Sequence, residues 1–221
     1  MKKQLLFLAA FFVSTLAMAQ VKTTAGVRAG YSSASIKGEA VQNLDKLIDI
    51  TNGAITSGNH SGVFAGAYVA LPLTENISLE PALYYAQKGY TLNGALSIKG
   101  ADFLSANARA ALNLHYIDMP VVLKGTVGGF QVFAGPQVSY LAKADLRTVA
   151  GALGFNVLDR TMDATQQFNR WDASVTGGVG YQFANGLNLM AAYDYGLSRA
   201  DANRNLNSYN RSFKVGLGFT F

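Results

Sequence analysis

The chain contains no cysteine, which removes disulfide bonds, thiol catalysis and cysteine-ligated metal together. It has two histidines, His60 and His115, and without cysteine these provide no metal-ligand cluster of recognisable spacing. Beyond an apolar stretch at residues 5–16, no run approaches the roughly 18 apolar residues of a spanning helix. Charge is sparse: 18 basic side chains stand against 13 acidic ones, an excess too mild to imply nucleic acid as a partner. The glycines of residues 151–154 lack the lysine of a phosphate-binding loop. No cofactor is expected, and no catalytic or metal-binding residue is assigned.

What is present begins with an export signal. Met1, Lys2 and Lys3 form a charged start, residues 5–16 an apolar stretch, and Ala17, Met18 and Ala19 a small-residue cleavage site. Residues 1–19 are therefore read as a secretory signal peptide, and residues 20–221 as one domain. Half of the chain is hydrophobic, and mean hydropathy is slightly positive at +0.16. Helical spanning is excluded by the missing runs, but strand spanning is not. A membrane strand needs only about 9–11 residues with every second one apolar.

The rhythm of connections points the same way. Tight turns are expected at residues 73–76, 127–129 and 184–186, and long connections at 36–61, 92–111, 143–171 and 200–210. Short turns on one side and long loops on the other are the asymmetry of a bacterial transmembrane barrel. Eight strands fit, at residues 23–35, 62–73, 77–90, 112–126, 130–142, 172–183, 187–198 and 212–221. An even number returns both ends to the periplasm. A soluble β-sandwich would show a similar pattern.

The last strand states the alternation most clearly. Phe213, Val215, Leu217, Phe219 and Phe221 share one face, while Ser212, Lys214, Gly216, Gly218 and Thr220 share the other. Successive strand side chains point to opposite faces, so lipid outside and a narrow interior require this arrangement. Tyr31, Tyr85, Tyr140, Tyr193 and Tyr195 fall on outward positions near the loop side, with Phe183, Phe219 and Phe221 near the turn side. Two aromatic belts at the membrane–water interfaces follow. Pro81, Pro120 and Pro136 interrupt strand patterns; bulges or local breaks are expected there, because proline donates no ladder hydrogen bond.

Several strings occur in order along the mature chain: Pro81-Ala82-Leu83-Tyr84-Tyr85 leading to Gln87-Lys88-Gly89, then Tyr116-Ile117-Asp118-Met119-Pro120-Val121-Val122-Leu123-Lys124. Phe168-Asn169-Arg170-Trp171-Asp172, Gly178-Val179-Gly180-Tyr181 and Tyr193-Asp194-Tyr195-Gly196-Leu197 follow. In this order and placement they resemble the PorT-like outer-membrane β-barrel proteins. The resemblance implies an all-β fold, an eight-stranded antiparallel transmembrane barrel similar to the small OmpA and OmpX type. Through the family's namesake it implies an association with secretion of proteins and gliding-type machinery.

An eight-stranded barrel is just wide enough for its own side chains to fill. Arg28, Glu80, Lys88, Asp118, Lys124, Asp194 and Lys214 occupy inward positions of mixed sign. Glu80 and Lys124 lie at similar heights on neighbouring strands, as do Asp194 and Lys214. The bland account is mutual neutralisation in a water-poor lumen; the functional alternative is proton passage or a narrow, gated pore. A catalytic dyad of His115 with Asp118 fails because three residues' separation puts them on opposite faces, and Ser105 and His60 complete no triad with them. Val41, Leu44, Leu47 and Ile48 recur at helical spacing in the first loop. The third loop mixes apolar and charged residues, and ordered structure is expected above the membrane. The expected role is a non-enzymatic outer-membrane protein acting through its extracellular loops in a structural, binding or secretion-accessory capacity. Its partners would be outer-membrane lipid and an envelope or secretion-machinery protein, and the sequence leaves oligomeric state open.

Overall fold

The computed structural model describes residues 23–38, 55–96, 106–152, 155–199 and 208–221. Nine strands run through them: β1 (Thr24–Gly38), β2 (Ile55–Pro72), β3 (Ile77–Leu96), β4 (Ala106–Val127), β5 (Phe130–Ala152), β6 (Phe155–Asp163), β7 (Trp171–Gln182), β8 (Leu187–Gly196) and β9 (Ser208–Thr220). Eight of them close a ring. Each strand pairs antiparallel with the next from β1 to β5, β5 pairs with β7, and β7, β8 and β9 lead back to β1. Strand β6 pairs with β5 alone, beyond the end of β7.

The stagger of the ring follows from its register. Successive partners lead from Asn188 to Gly218, Arg28, Gly66, Tyr84, Asp118, Ser139 and Asp172. Asp172 then accepts a hydrogen bond from Ser198, ten residues along the chain from Asn188. A shear of ten over eight strands tilts them by about 40° from the barrel axis. Every member of this line faces the interior, so one row of partners climbs the lumen like a spiral stair.

Local sequence sets the turns. Gly128 and Gly129, at φ of 58° and 87°, supply the two left-handed residues of the tight β4–β5 connection. The β2–β3 turn is held by Thr74, whose Oγ1 accepts hydrogen bonds from the amides of Asn76 and Ile77. At the β7–β8 turn, the amide of Leu187 donates to the Asn185 side chain.

Outward positions carry Val27, Leu83, Leu123, Val132, Val179 and Leu217, all exposed to the surrounding lipid. Tyr31, Tyr85, Tyr140, Tyr193 and Tyr195 are exposed toward the loop side, and Phe183, Phe219 and Phe221 toward the turns. Trp171 extends the upper belt, packing its ring on Tyr140 at 5.0 Å. Phe130 and Tyr181 extend the lower one.

The loop side differs from the sequence reading. The connection at residues 143–171 is largely strand: β5 continues to Ala152, and β6 returns beside it. Above the bilayer neither face meets lipid, so the apolar–polar alternation that marks a membrane strand disappears while backbone pairing persists. The prolines bring the expected local breaks, without a shift of register. The ladder omits Ala82 and Leu83 opposite β4, and Val121 and Val122 opposite β5, then resumes in step. Register shifts occur instead between Asn59 and Phe64 on β2, beside His115 on β4, and beside Ala150 on β5. The helical spacing at residues 41–48 and Ser105 lie outside the described residues.

Candidate functional site

The lumen is built in layers. Nearest the turns, Arg28 on β1 reaches Glu80 on β3 at 3.0 Å and the Tyr84 hydroxyl at 2.8 Å, both through Nη1. Its Nε approaches the Asn188 side-chain oxygen Oδ1 at 3.4 Å, and its guanidinium lies 4.3 Å from the Tyr68 ring centroid. Lys124 on β4 caps the second oxygen of Glu80. One carboxylate thus serves two cations, and an aromatic face spreads their charge.

An apolar layer follows. Phe64, Tyr84, Ala86, Met190 and Ala192 are buried together, with Ala82 and Phe133 packed against them. Phe64 meets Tyr84 edge to face at 5.9 Å. The rings fit because small residues stand opposite. A Cβ on Gly30 or Gly216 would lie 2.8 or 2.7 Å from the Phe64 ring, and one on Gly178 would lie 2.7 Å from Phe133. A cavity of about 30 Å³ remains among Phe64, Phe133, Met190, Gln137 and Lys214, room for a water molecule rather than a path.

The second charged layer centres on Asp118, which is fully buried on β4. Lys88 donates to its Oδ1 at 2.8 Å and Lys214 to its Oδ2 at 2.9 Å. Lys214 also pairs with Asp194 at 2.6 Å. Ser139 stands 3.4 Å from Lys88, and Gln137 lies 3.5 Å from Asp194. Toward the loops, Leu114, Tyr116, Leu141, Ala144 and Ala164 form a further buried cluster with Leu112, Leu146 and Phe168 against it. The lumen therefore narrows to apolar contacts above this charged layer, whereas its turn end opens into a vestibule of about 470 Å³ bordered by Tyr68, Lys124, Gln131 and Gln182.

All seven inward charges named from the sequence lie in this interior, in two separate groups. Arg28, Glu80 and Lys124 form one, and Lys88, Asp118, Asp194 and Lys214 the other. Asp172 is the acid that the sequence reading left out of the set. It is buried and accepts hydrogen bonds from Asn210 at 2.7 Å and from Ser198. Its alternation with Ser174 and Thr176 carried the signal. With it, the buried cations Arg28, Lys88, Lys124 and Lys214 meet an equal number of buried carboxylates.

Outside the lumen, His115 accepts or donates a hydrogen bond at 2.6 Å to the Tyr85 hydroxyl and lies 3.7 Å from Asp145. Asp118 faces the other way. No described serine or threonine is hydrogen-bonded to His115, and no cluster of three metal-ligating side chains occurs among the described residues. The β5–β6 hairpin is tied by a two-pronged pair from Arg147 to Asp159, at 3.0 and 2.7 Å. That hydrogen bonding holds the Asp159 carboxyl below its ordinary range, and hydrogen bonds from Thr165 do the same for Asp163.

A closed antiparallel ring with lipid-facing apolar rows, two aromatic belts and a filled polar lumen defines a small transmembrane β-barrel. Residues 18–202 match the family described as outer membrane protein beta-barrel domain, and the chain belongs to that family. It is a protein of the bacterial outer membrane. Among solved structures, Neisserial surface protein A is 12% identical, with a TM-score of 0.48 over 91% of this chain and 100% of that one. Ail, the attachment invasion locus protein of Yersinia pestis, is 10% identical, with a TM-score of 0.45 over 91% and 100%. OprG from Pseudomonas aeruginosa is 12% identical, with a TM-score of 0.38 over 90% and 95%. A search of curated proteins finds no match.

Proposed function

We propose that this is a non-enzymatic barrel of the PorT-like kind, exported by the signal at residues 1–19. Its sealed lumen is a scaffold, and its extracellular strands and loops are the working surface, serving a structural, binding or secretion-accessory role. The observation that supports this most is the filling of the lumen. Each interior carboxylate has cationic or hydrogen-bonding partners, and apolar side chains close the space above and below the Asp118 group. Such paired charges stabilise a fold without requiring any traffic through it. The β5–β6 hairpin, by contrast, presents Leu158, Asp159, Arg160, Thr161 and Met162 to the outside.

The vestibule at the turn end favours a second reading, a narrow transport element gated at the Phe64 layer. The two readings separate in cells. A photo-crosslinking residue placed at Leu158 or Met162 should capture an envelope or secretion-machinery protein reproducibly. Absence of any adduct from both sites in folded barrels would remove the support for a loop-borne partner and raise the transport reading.

A further inference from the structure

The outer rim of the barrel is chemically lopsided. On β1 to β4 the first polar side chains above the lipid-facing rows are bonded to one another: Tyr31 to Ser61 at 2.7 Å, and Tyr85 to His115 at 2.6 Å with Gln87 alongside. Over β7, β8 and β9 the corresponding region carries Arg170, Arg199 and Arg211. None of the three lies within ion-pair distance of a described carboxylate.

Arg211 is the most fully specified. It continues the outward row of Phe213, Val215, Leu217 and Phe219, so its side chain emerges at the top of the lipid-facing surface. Across the ladder it faces Tyr195, and its guanidinium sits 3.5 Å from that ring centroid, with the Tyr209 ring at 5.9 Å. Nη1 donates to the carbonyls of Gly196 and Asn210 at 2.6 and 3.0 Å. Nε and Nη2 meet no acceptor among the described residues. Arg170 is anchored in the same manner, through Nη1 to the carbonyls of Leu141 and Ala142. Arg199 follows Ser198, whose bonds to Ala173 and Asp172 hold the end of β8 against the start of β7. Trp171 lies beside Arg170 in sequence and is exposed.

We propose that this rim binds the phosphate of an anionic outer-leaflet glycolipid, with Arg211 as its principal donor and the exposed Arg170 and Arg199 beside it. The inference rests on the outer-membrane location and not on the loop-borne partner above. Guanidinium forks match phosphate oxygens two at a time, and here each anchored fork keeps donors for that purpose. Stacking on Tyr195 holds Arg211 at head-group height, where aromatic side chains themselves favour the interface. The loop side faces the outer leaflet, so the lipid supplying that phosphate is the one outside the cell.

The chain's single tryptophan, Trp171, gives a direct readout. Folded full-length protein in neutral detergent is titrated with bis-phosphorylated lipid A and with its dephosphorylated counterpart, following Trp171 emission and counting bound lipid by native mass spectrometry. The expected result is saturable binding of the phosphorylated lipid. Binding should weaken about tenfold or more when the phosphates are removed, and likewise in the Arg199→Gln, Arg211→Gln double variant. Arg147→Gln, which alters a pair above the membrane, should bind as the unaltered protein does. Heat-modifiable migration confirms folding of each variant. If the double variant fails to fold, Arg211→Lys replaces it and should weaken binding by losing the fork while keeping the charge. Equal affinity for the dephosphorylated lipid, or undiminished binding in the folded arginine variant, overturns the proposal. Displacement by inorganic phosphate at concentrations matching the lipid also overturns it, because the site would then take a small free anion.

Discussion

Asp118 and Glu80 each hold two cations, but the consequences of neutralising them differ in size. Asp118→Asn leaves Lys88 without a carboxylate and Lys214 with only Asp194. An uncompensated buried charge costs about 3–5 kcal/mol, so the variant should unfold at markedly lower denaturant concentration. Lys124→Met removes one cation from Glu80, which keeps Arg28 at 3.0 Å, and the loss should be smaller. Guanidinium-induced unfolding of the detergent-folded barrel, followed by Trp171 emission, measures both. Equal resistance to unfolding in the two variants and the parent would mean that the pairs contribute nothing to stability. At this scale the sequence was informative about direction and about two neighbouring-strand pairs, Glu80 with Lys124 and Asp194 with Lys214, but not about the partnerships that reach across the lumen. Alternation placed Lys88 and Asp118 inward because a strand has only two faces. That Lys88 and Lys214 would converge on Asp118 depends on ring closure, since β9 and β4 are not neighbours in the ladder.

Among the elements, the β5–β6 hairpin separates what alternation can reveal from what it cannot. Lipid on one side and packed side chains on the other write a period of two into β7, β8 and β9. Arg147, Asp159 and Arg160 are exposed to water, so the same backbone pairing leaves no such trace. The strand extensions of β2, β3 and β4 were hidden for the same reason. Proline was legible from its missing donor: Pro81, Pro120 and Pro136 cost ladder pairs nearby, the local breaks expected of them, without changing register. The topology makes a direct prediction, since the chain lacks native cysteine. A cysteine introduced by Leu158→Cys should react with a membrane-impermeant maleimide on intact cells. One introduced by Asn185→Cys in the β7–β8 turn should react only after the outer membrane is permeabilised. The reverse pattern would invert the barrel.

For the molecule as a whole, eight strands with a shear of ten enclose about the width that side chains can fill. The chain uses that width for two charge layers, two cations on one carboxylate nearer the turns and two on two above, separated by Phe64, Phe133 and Met190, with a third, apolar group beneath the loops. Closure also removes every strand edge within the membrane, where an unpaired backbone group would cost several kcal/mol. The inward polarity is therefore compatible with a scaffold, and the chemistry left over lies on the rim and above it. Planar-bilayer recording of the purified barrel, folded by the criterion of heat-modifiable migration, tests this most directly. A sealed lumen predicts an unchanged baseline current after insertion, verified by protection of the strands from protease. Reproducible, stable current steps from the folded protein would show a connected aqueous path and contradict the account.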